Sequence, residues 1–308
     1  MKSAPYIALF ISVTTVSFAA ILIEIANEIS PDLHPLTIAF YRLFFTTALL
    51  APLFIVHQPS RDELMGLSRR SLLIMGGIGI ALALHFSSWI ASLELTSISS
   101  SVFLVTAHPI IVAPLSFILL KEALSKRNIT GILISLLGVF ILVFGNNQFS
   151  LGGLDSLEGN LLAFIGGIAA GIYILGGRLM RKNISVITYA FIVYFITTVI
   201  LFLLCAGLGV LNNGVTELTL LLFLAMAVTS GILGHTLYNW SLGYVRASVA
   251  SVALLGEPLG STLWAFILPL SFLQQIPTVY TLLGGVCILS GIYLASKKKK
   301  EKTAVIPH

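Results

Sequence analysis

Ten apolar stretches, each about 20 residues long, run through this 308-residue chain with only short polar breaks between them. About 20 apolar residues are what an α-helix needs to cross the hydrocarbon core of a bilayer. The first five occupy residues 6–27, 36–56, 72–93, 97–120 and 129–145; the second five occupy 157–177, 185–208, 218–242, 247–270 and 276–295. Lipid offers no partner to an open backbone, so a chain crosses it as helices or as a closed barrel. The period-2 alternation of barrel strands is missing, which leaves helices. The expected fold class is an all-α polytopic membrane protein with ten transmembrane helices. Composition agrees, since 9% of the residues are charged against about 25% in a soluble domain. Little chain remains for a soluble catalytic domain. Cys205 and Cys287 both sit in apolar runs and form no paired metal motif.

The basic residues set an expected orientation. Of the 17 Lys and Arg residues, 16 fall before the first stretch, after an even-numbered one, or in the tail, all on one side. The opposite loops carry Glu28, Asp32, Glu94 and Asp155 and no Lys or Arg. The positive-inside rule then places both termini in the cytoplasm, with the chain in what is expected to be a prokaryotic cytoplasmic membrane. The basic tail 297-KKKKEK-302 reads as an anchor drawn to anionic lipid. The net charge of +5 therefore implies no nucleic-acid partner. The triplet Ser17-Phe18-Ala19 has the small-x-small form of a signal cleavage site, but cutting there would spoil the repeat that follows.

Ten stretches split into two fives, with an expected division into residues 1–147 and 148–308. In the fourth stretch of each half, Pro109 matches Pro258 and His108 matches Glu257. Before them, Ser92-Leu93 matches Ser241-Leu242 and Ser99 matches Ser248. The fifth stretches share glycines seven apart, Gly131 with Gly138 and Gly284 with Gly291. Seven residues are about two helical turns, so each pair lies on one face and allows close helix approach. Five is odd, so the second copy enters the membrane the opposite way round. Such inverted repeats are the arrangement of alternating-access carriers.

Three segments carry a resemblance. They are 31-PDLHPLTIAFYRLFF-45, 85-HFSSWIASLELTSISSSVFLVTAHPIIVAPLSFILLKEALS-125 and 235-HTLYNWSLGYVRASVASVALLGEPLGSTLWAF-266. Over nearly its whole length the chain resembles drug/metabolite transporters of the EamA type. The resemblance implies two inverted five-helix repeats around a central substrate cavity, and export of amino acids or other metabolites. That family usually has a Gly-Glu pair after each fourth helix. Glu122 in 121-KEALS-125 matches the first, whereas 271-SFLQQIPT-278 has Gln274 and Gln275 at the second. The outer end of the first helix, often basic in the family, carries Glu24 here.

Ionisable groups inside a membrane are costly and mark functional candidates. Glu24 and Arg42 fall at similar depth near the outer rim. They either pair with each other or leave Arg42 free to attract a carboxylate or phosphate at the outer mouth. His108 and Glu257 fall near the midplane, each followed by a kink-forming proline. They either brace those kinks or line the cavity as substrate-binding and proton-coupling candidates. His85, Trp89 and Ser92 share one helical face, and His235, Tyr238 and Asn239 another. Such polar and aromatic faces suit a pocket for an amphipathic metabolite, or else serve as polar glue between helices. The expected substrate-binding set is His85, Trp89, His108, His235, Tyr238, Asn239 and Glu257. Gly76-Gly77-Ile78-Gly79 lies inside a span and lacks the strand-turn-helix setting of a phosphate loop. No metal site, catalytic residue or cofactor is implied.

The expected function is a secondary transporter for a small metabolite, an amino acid or related organic compound, working by alternating access and most simply as an exporter. The alternatives are a metabolite exchanger, or a non-transport polytopic protein such as a lipid enzyme or a scaffold. An enzyme would need clustered acids or a nucleophile with its base, and Asp32, Asp62 and Asp155 are all in loops. The partners expected are a small-molecule substrate and the lipid bilayer. Oligomeric state is not legible in the sequence.

Overall fold

A computed structural model describes residues 3–145, 154–268 and 277–297. Among the described residues, ten helices are long and apolar enough to cross a membrane. Spans 1 to 5 are Ala4–Ile29, Pro35–Val56, Arg69–Leu95, Ser100–Leu120 and Lys126–Phe144. Spans 6 to 10 are Ser156–Met180, Val186–Leu208, Glu217–Leu242, Ala247–Ile267 and Val279–Ser296. Each end lies within three residues of the expected one. Among the described residues there are no strands. The 147/148 division, Gln274, Gln275, Lys2 and the basic tail beyond Lys297 lie outside the described residues.

Spans begin where a short hydroxyl side chain can satisfy an amide that has no partner within the helix. Ser68, Ser125, Ser185, Thr216 and Thr278 each accept a hydrogen bond from the amide three residues on, opening spans 3, 5, 7, 8 and 10. Spans 4 and 9 break where proline forbids a continuous ladder, between Ile98–Thr106 and Pro109–Leu120 and between Ala247–Leu254 and Glu257–Ile267. Span 1 also breaks, at Ser17, without a proline. The Ser17 carbonyl instead accepts the Ser261 hydroxyl of span 9 at 2.9 Å, and Trp264 Nε1 donates to the Thr14 carbonyl at 3.0 Å. Span 8 widens into a π-helix over Ala227–Thr236, a form often found at functional sites.

The main helix contacts cross between the two repeats. Span 2 packs on span 7 and span 5 on span 10, while span 3 on span 6 is mirrored by span 8 on span 1. This is the pattern expected of two inverted copies related by a twofold axis in the membrane plane. The paired glycines form the seam between spans 5 and 10. A Cβ on Gly138 would sit 2.6 Å from the Gly284 carbonyl oxygen, and one on Gly131 would sit 2.6 Å from the Gly291 carbonyl oxygen. A Cβ on Gly76 or Gly77 would meet nothing within 4 Å.

A short helix, Gln58–Met65, follows span 2 and was not evident from hydropathy. Its Glu63 caps span 7, accepting the Ser185 amide at 2.9 Å and the Ser185 hydroxyl at 2.6 Å. Partial burial works against the Glu63 carboxylate, but hydrogen bonds from Ser185 and Thr188 and the charge of Arg181 outweigh it. Its pKa lies below the usual carboxylate value.

Candidate functional site

The breaks in spans 1, 4 and 9 keep these helices from closing on one another and leave a cavity of about 330 Å³ between the repeats. Drug-sized ligand sites start at about 300 Å³. Ser3 and Lys297, the first and last described residues, lie on one side, because the ten spans between them are even in number. On the opposite, far side the lining runs to Glu24, Val143 and Ala265, each within a turn and a half of its helix end. At depth the lining ends on Tyr173 and Tyr238.

The structure brings Glu24, Arg42, His85, Trp89, His108, His235, Tyr238 and Glu257 to this single cavity. Glu24 is exposed near the far rim, whereas Arg42 is buried, with 1% of its surface accessible. No ion pair joins them; the ion pair among the described residues is Arg178–Glu122. Arg42 instead lies over the Phe86 ring, its Cζ 4.6 Å from the centroid, and its Nη1 has no hydrogen-bond partner. Glu257 lines the same cavity without pairing with Arg42. Cation–π contact with Phe86 offsets part of the cost of burying the guanidinium.

The histidines are held differently. His85 Nδ1 donates to the Gly166 carbonyl of span 6 at 2.9 Å, which fixes the ring and leaves Nε2 toward other partners. The same ring stacks on Trp89 with centroids 6.0 Å apart and planes 6° from parallel. His108 Nδ1 shares a hydrogen bond with Ser251 of span 9 at 2.9 Å. It makes no cap bond to its own kink, so it braces span 4 against span 9 instead. His235 meets the Phe86 and Tyr173 rings edge-on at 5.5 and 6.3 Å. Glu257 opens the second half of span 9, where unpaired amides favour negative charge. Trp89 Nε1 and Tyr238 OH, like Arg42 Nη1, are buried donors without a partner. A buried donor left unpaired costs about 1–3 kcal/mol, which a ligand acceptor would recover.

Asn239 departs from expectation and does not line the cavity. Its Nδ2 donates to Tyr173 OH at 2.7 Å and Tyr194 OH at 3.0 Å, tying spans 6, 7 and 8 together beneath it. The π-helical segment ends at Thr236, so a face counted at 3.6 residues per turn from His235 does not carry through. Among the lining residues that the sequence did not single out are Phe86 and Tyr173. Tyr173 had a signal: it is the sole polar side chain between Leu161 and Gly177. Among the described residues no three His, Cys, Asp or Glu side chains group to hold a metal ion.

Comparison with known proteins agrees with this architecture. Residues 4–144 and 157–297 each match the model of the EamA-like transporter family. An uncharacterized transporter of Archaeoglobus fulgidus is 23% identical over 98% of this chain and 100% of its own length. The uncharacterized transporters YyaM and YdfC of Bacillus subtilis are 22% and 24% identical, over 88% and 89% of this chain and 90% and 86% of their own. A solved crystal structure, 16% identical, superposes with a TM-score of 0.76 over 96% of both chains, which shows a shared fold. With both halves matched, the chain is an integral membrane transporter of the EamA-like transporter family.

Proposed function

We propose that this chain is a secondary carrier that exports a small metabolite, an amino acid or related organic compound, by alternating access. The observation that carries the reading is the cavity itself. It lies between two inverted repeats and holds, below the exposed Glu24 at its rim, one buried cation, Arg42, and a deeper acid, Glu257, that do not pair with each other. A substrate bearing both a carboxylate and an ammonium group would satisfy the two. Trp89 and Tyr238 offer further donors, and the His85–Trp89 stack offers a flat apolar wall. In this reading Glu257, with His108, is also the group through which a proton is coupled. In the same reading both termini lie in the cytoplasm, which the distribution of basic loops supports.

The test is thermal unfolding of the detergent-purified protein against a metabolite library at two pH values. A ligand at a hundredfold excess over its Kd stabilises the folded state by about 2.7 kcal/mol. Amino acids or related zwitterions are expected to raise the melting temperature, with the effect lost in Arg42→Gln. A library in which only lipid-like compounds raise it would overturn this substrate assignment.

A further inference from the structure

The side of the molecule that bears the termini is closed by charged groups below the cavity. Span 4 ends at Lys121, whose left-handed backbone (φ 56°) turns the chain so that Glu122 points back under the bundle. Glu122 is buried, with 8% of its surface accessible. Its Oε1 accepts from Arg178 Nε of span 6 at 2.6 Å, and its Oε2 accepts the amide of Ala247, the first residue of span 9, at 2.9 Å. Arg178 Nη1 also donates to the carbonyl of Leu242, the last residue of span 8, at 2.8 Å. The Glu122–Arg178 pair thus gathers the ends of spans 4, 6, 8 and 9. These are the spans that carry His108, Tyr173, His235 and Glu257 at the cavity above.

The chemistry of this contact differs from that of the fixed seams. Spans 5 and 10 meet through glycine backbones and the Ser135 hydroxyl. A permanent seam gains little from charge, because apolar residues of the same volume stabilise a buried contact as well or better. Charges have another property: pulled apart, each recovers its hydration as water enters. The contact is strong when closed and inexpensive to open into water. That suits a closure that must form and break. Among the described residues no ion pair closes the far side.

We infer that Glu122 is a gating residue: its contacts with Arg178 and Ala247 hold the cavity shut on the termini-bearing side and release when the cavity opens there. The inference rests on the alternating-access reading above. It is tested by double electron–electron resonance in lipid nanodiscs, with spin labels at Ala123→Cys and Lys182→Cys in a Cys205→Ala, Cys287→Ala background. Both label sites are exposed and flank the latch. Glu122→Gln keeps the shape and removes the charge. It is expected to raise the ratio of long to short distances about tenfold, since hydrogen bonds to charged groups exceed neutral ones by about that much. Arg178→Lys keeps the charge and loses the two-pronged contact, and serves if Glu122→Gln does not fold; a smaller rise is expected. Glu94→Gln, at the far end of span 3, should leave the distribution unchanged. Two populations whose ratio neither latch variant moves would overturn the gate and leave alternating access standing. A single short population in every form, with flux intact, would overturn both.

Discussion

Replacing Gly138 by alanine adds one methyl group at the place where spans 5 and 10 meet backbone to backbone. That carbon would sit 2.6 Å from the Gly284 carbonyl oxygen, 2.7 Å from the Ile288 nitrogen and 2.8 Å from the Cys287 Cβ. Two of the three are main-chain atoms inside a helix and have no rotamer through which to yield. Ordinary carbon contacts begin near 3.5 Å, so the helices must part by nearly an ångström along the seam. Forcing an extra carbon into a packed interior costs about 1–3 kcal/mol. In chains of 150–250 residues each kcal/mol moves the melting temperature by about 2–4 °C. We expect Gly138→Ala to melt several degrees below the parent in detergent, and Gly284→Ala, which meets the same seam from the other side, to behave alike. Gly76→Ala and Gly77→Ala are the controls. Nothing lies near their added carbon, and alanine favours helix by about 1 kcal/mol, so their melting temperature should hold or rise. If Gly138→Ala melted at or above the parent temperature while Gly76→Ala fell, the seam would not be the close contact described here.

Three further outcomes follow from the same structure. Arg42→Lys retains the charge but loses the planar fork over Phe86, and should weaken substrate-induced stabilisation at least about tenfold, read by titrating ligand against melting temperature. Glu257→Gln should fold normally yet flatten the pH dependence of transport in proteoliposomes; an unaltered profile removes Glu257 from proton coupling. Glu63→Gln should lower the melting temperature at neutral pH. The folded-state pKa of Glu63 is depressed, so its contribution is fully present above the unfolded value and fades as pH falls through the folded one. The parent and variant curves should therefore converge in acid.

The spans were legible because apolar length and the alternation of basic loops constrain each other. A missed helix would have scattered the Lys and Arg residues over both sides. The breaks at His108-Pro109 and Glu257-Pro258 were legible because proline removes a backbone donor whatever surrounds it. The break at Ser17 was not, because its cause is a hydroxyl of Ser261, 244 residues away. Helix depth and face singled out His85, Trp89, His108, His235, Tyr238 and Glu257, and the structure sets them around one cavity. The same method misplaced Asn239, because it assumes a regular α-helix through a segment that is π. It placed Arg42 at an outer mouth, whereas the fold of span 3 around Phe86 buries it. The partners of Glu122 lie 56 and 125 residues along the chain, so its position at the base of the bundle becomes visible only with the fold in hand.

The most direct test of the account is flux through the purified protein in proteoliposomes, measured for radiolabelled amino acids and other small zwitterions with and without a pH gradient. Saturable movement of at least one such compound is expected, reduced to the rate of protein-free vesicles in Arg42→Gln and retained in Glu94→Gln. Flux at the protein-free rate for every zwitterion tested, from protein that melts cooperatively, would contradict it.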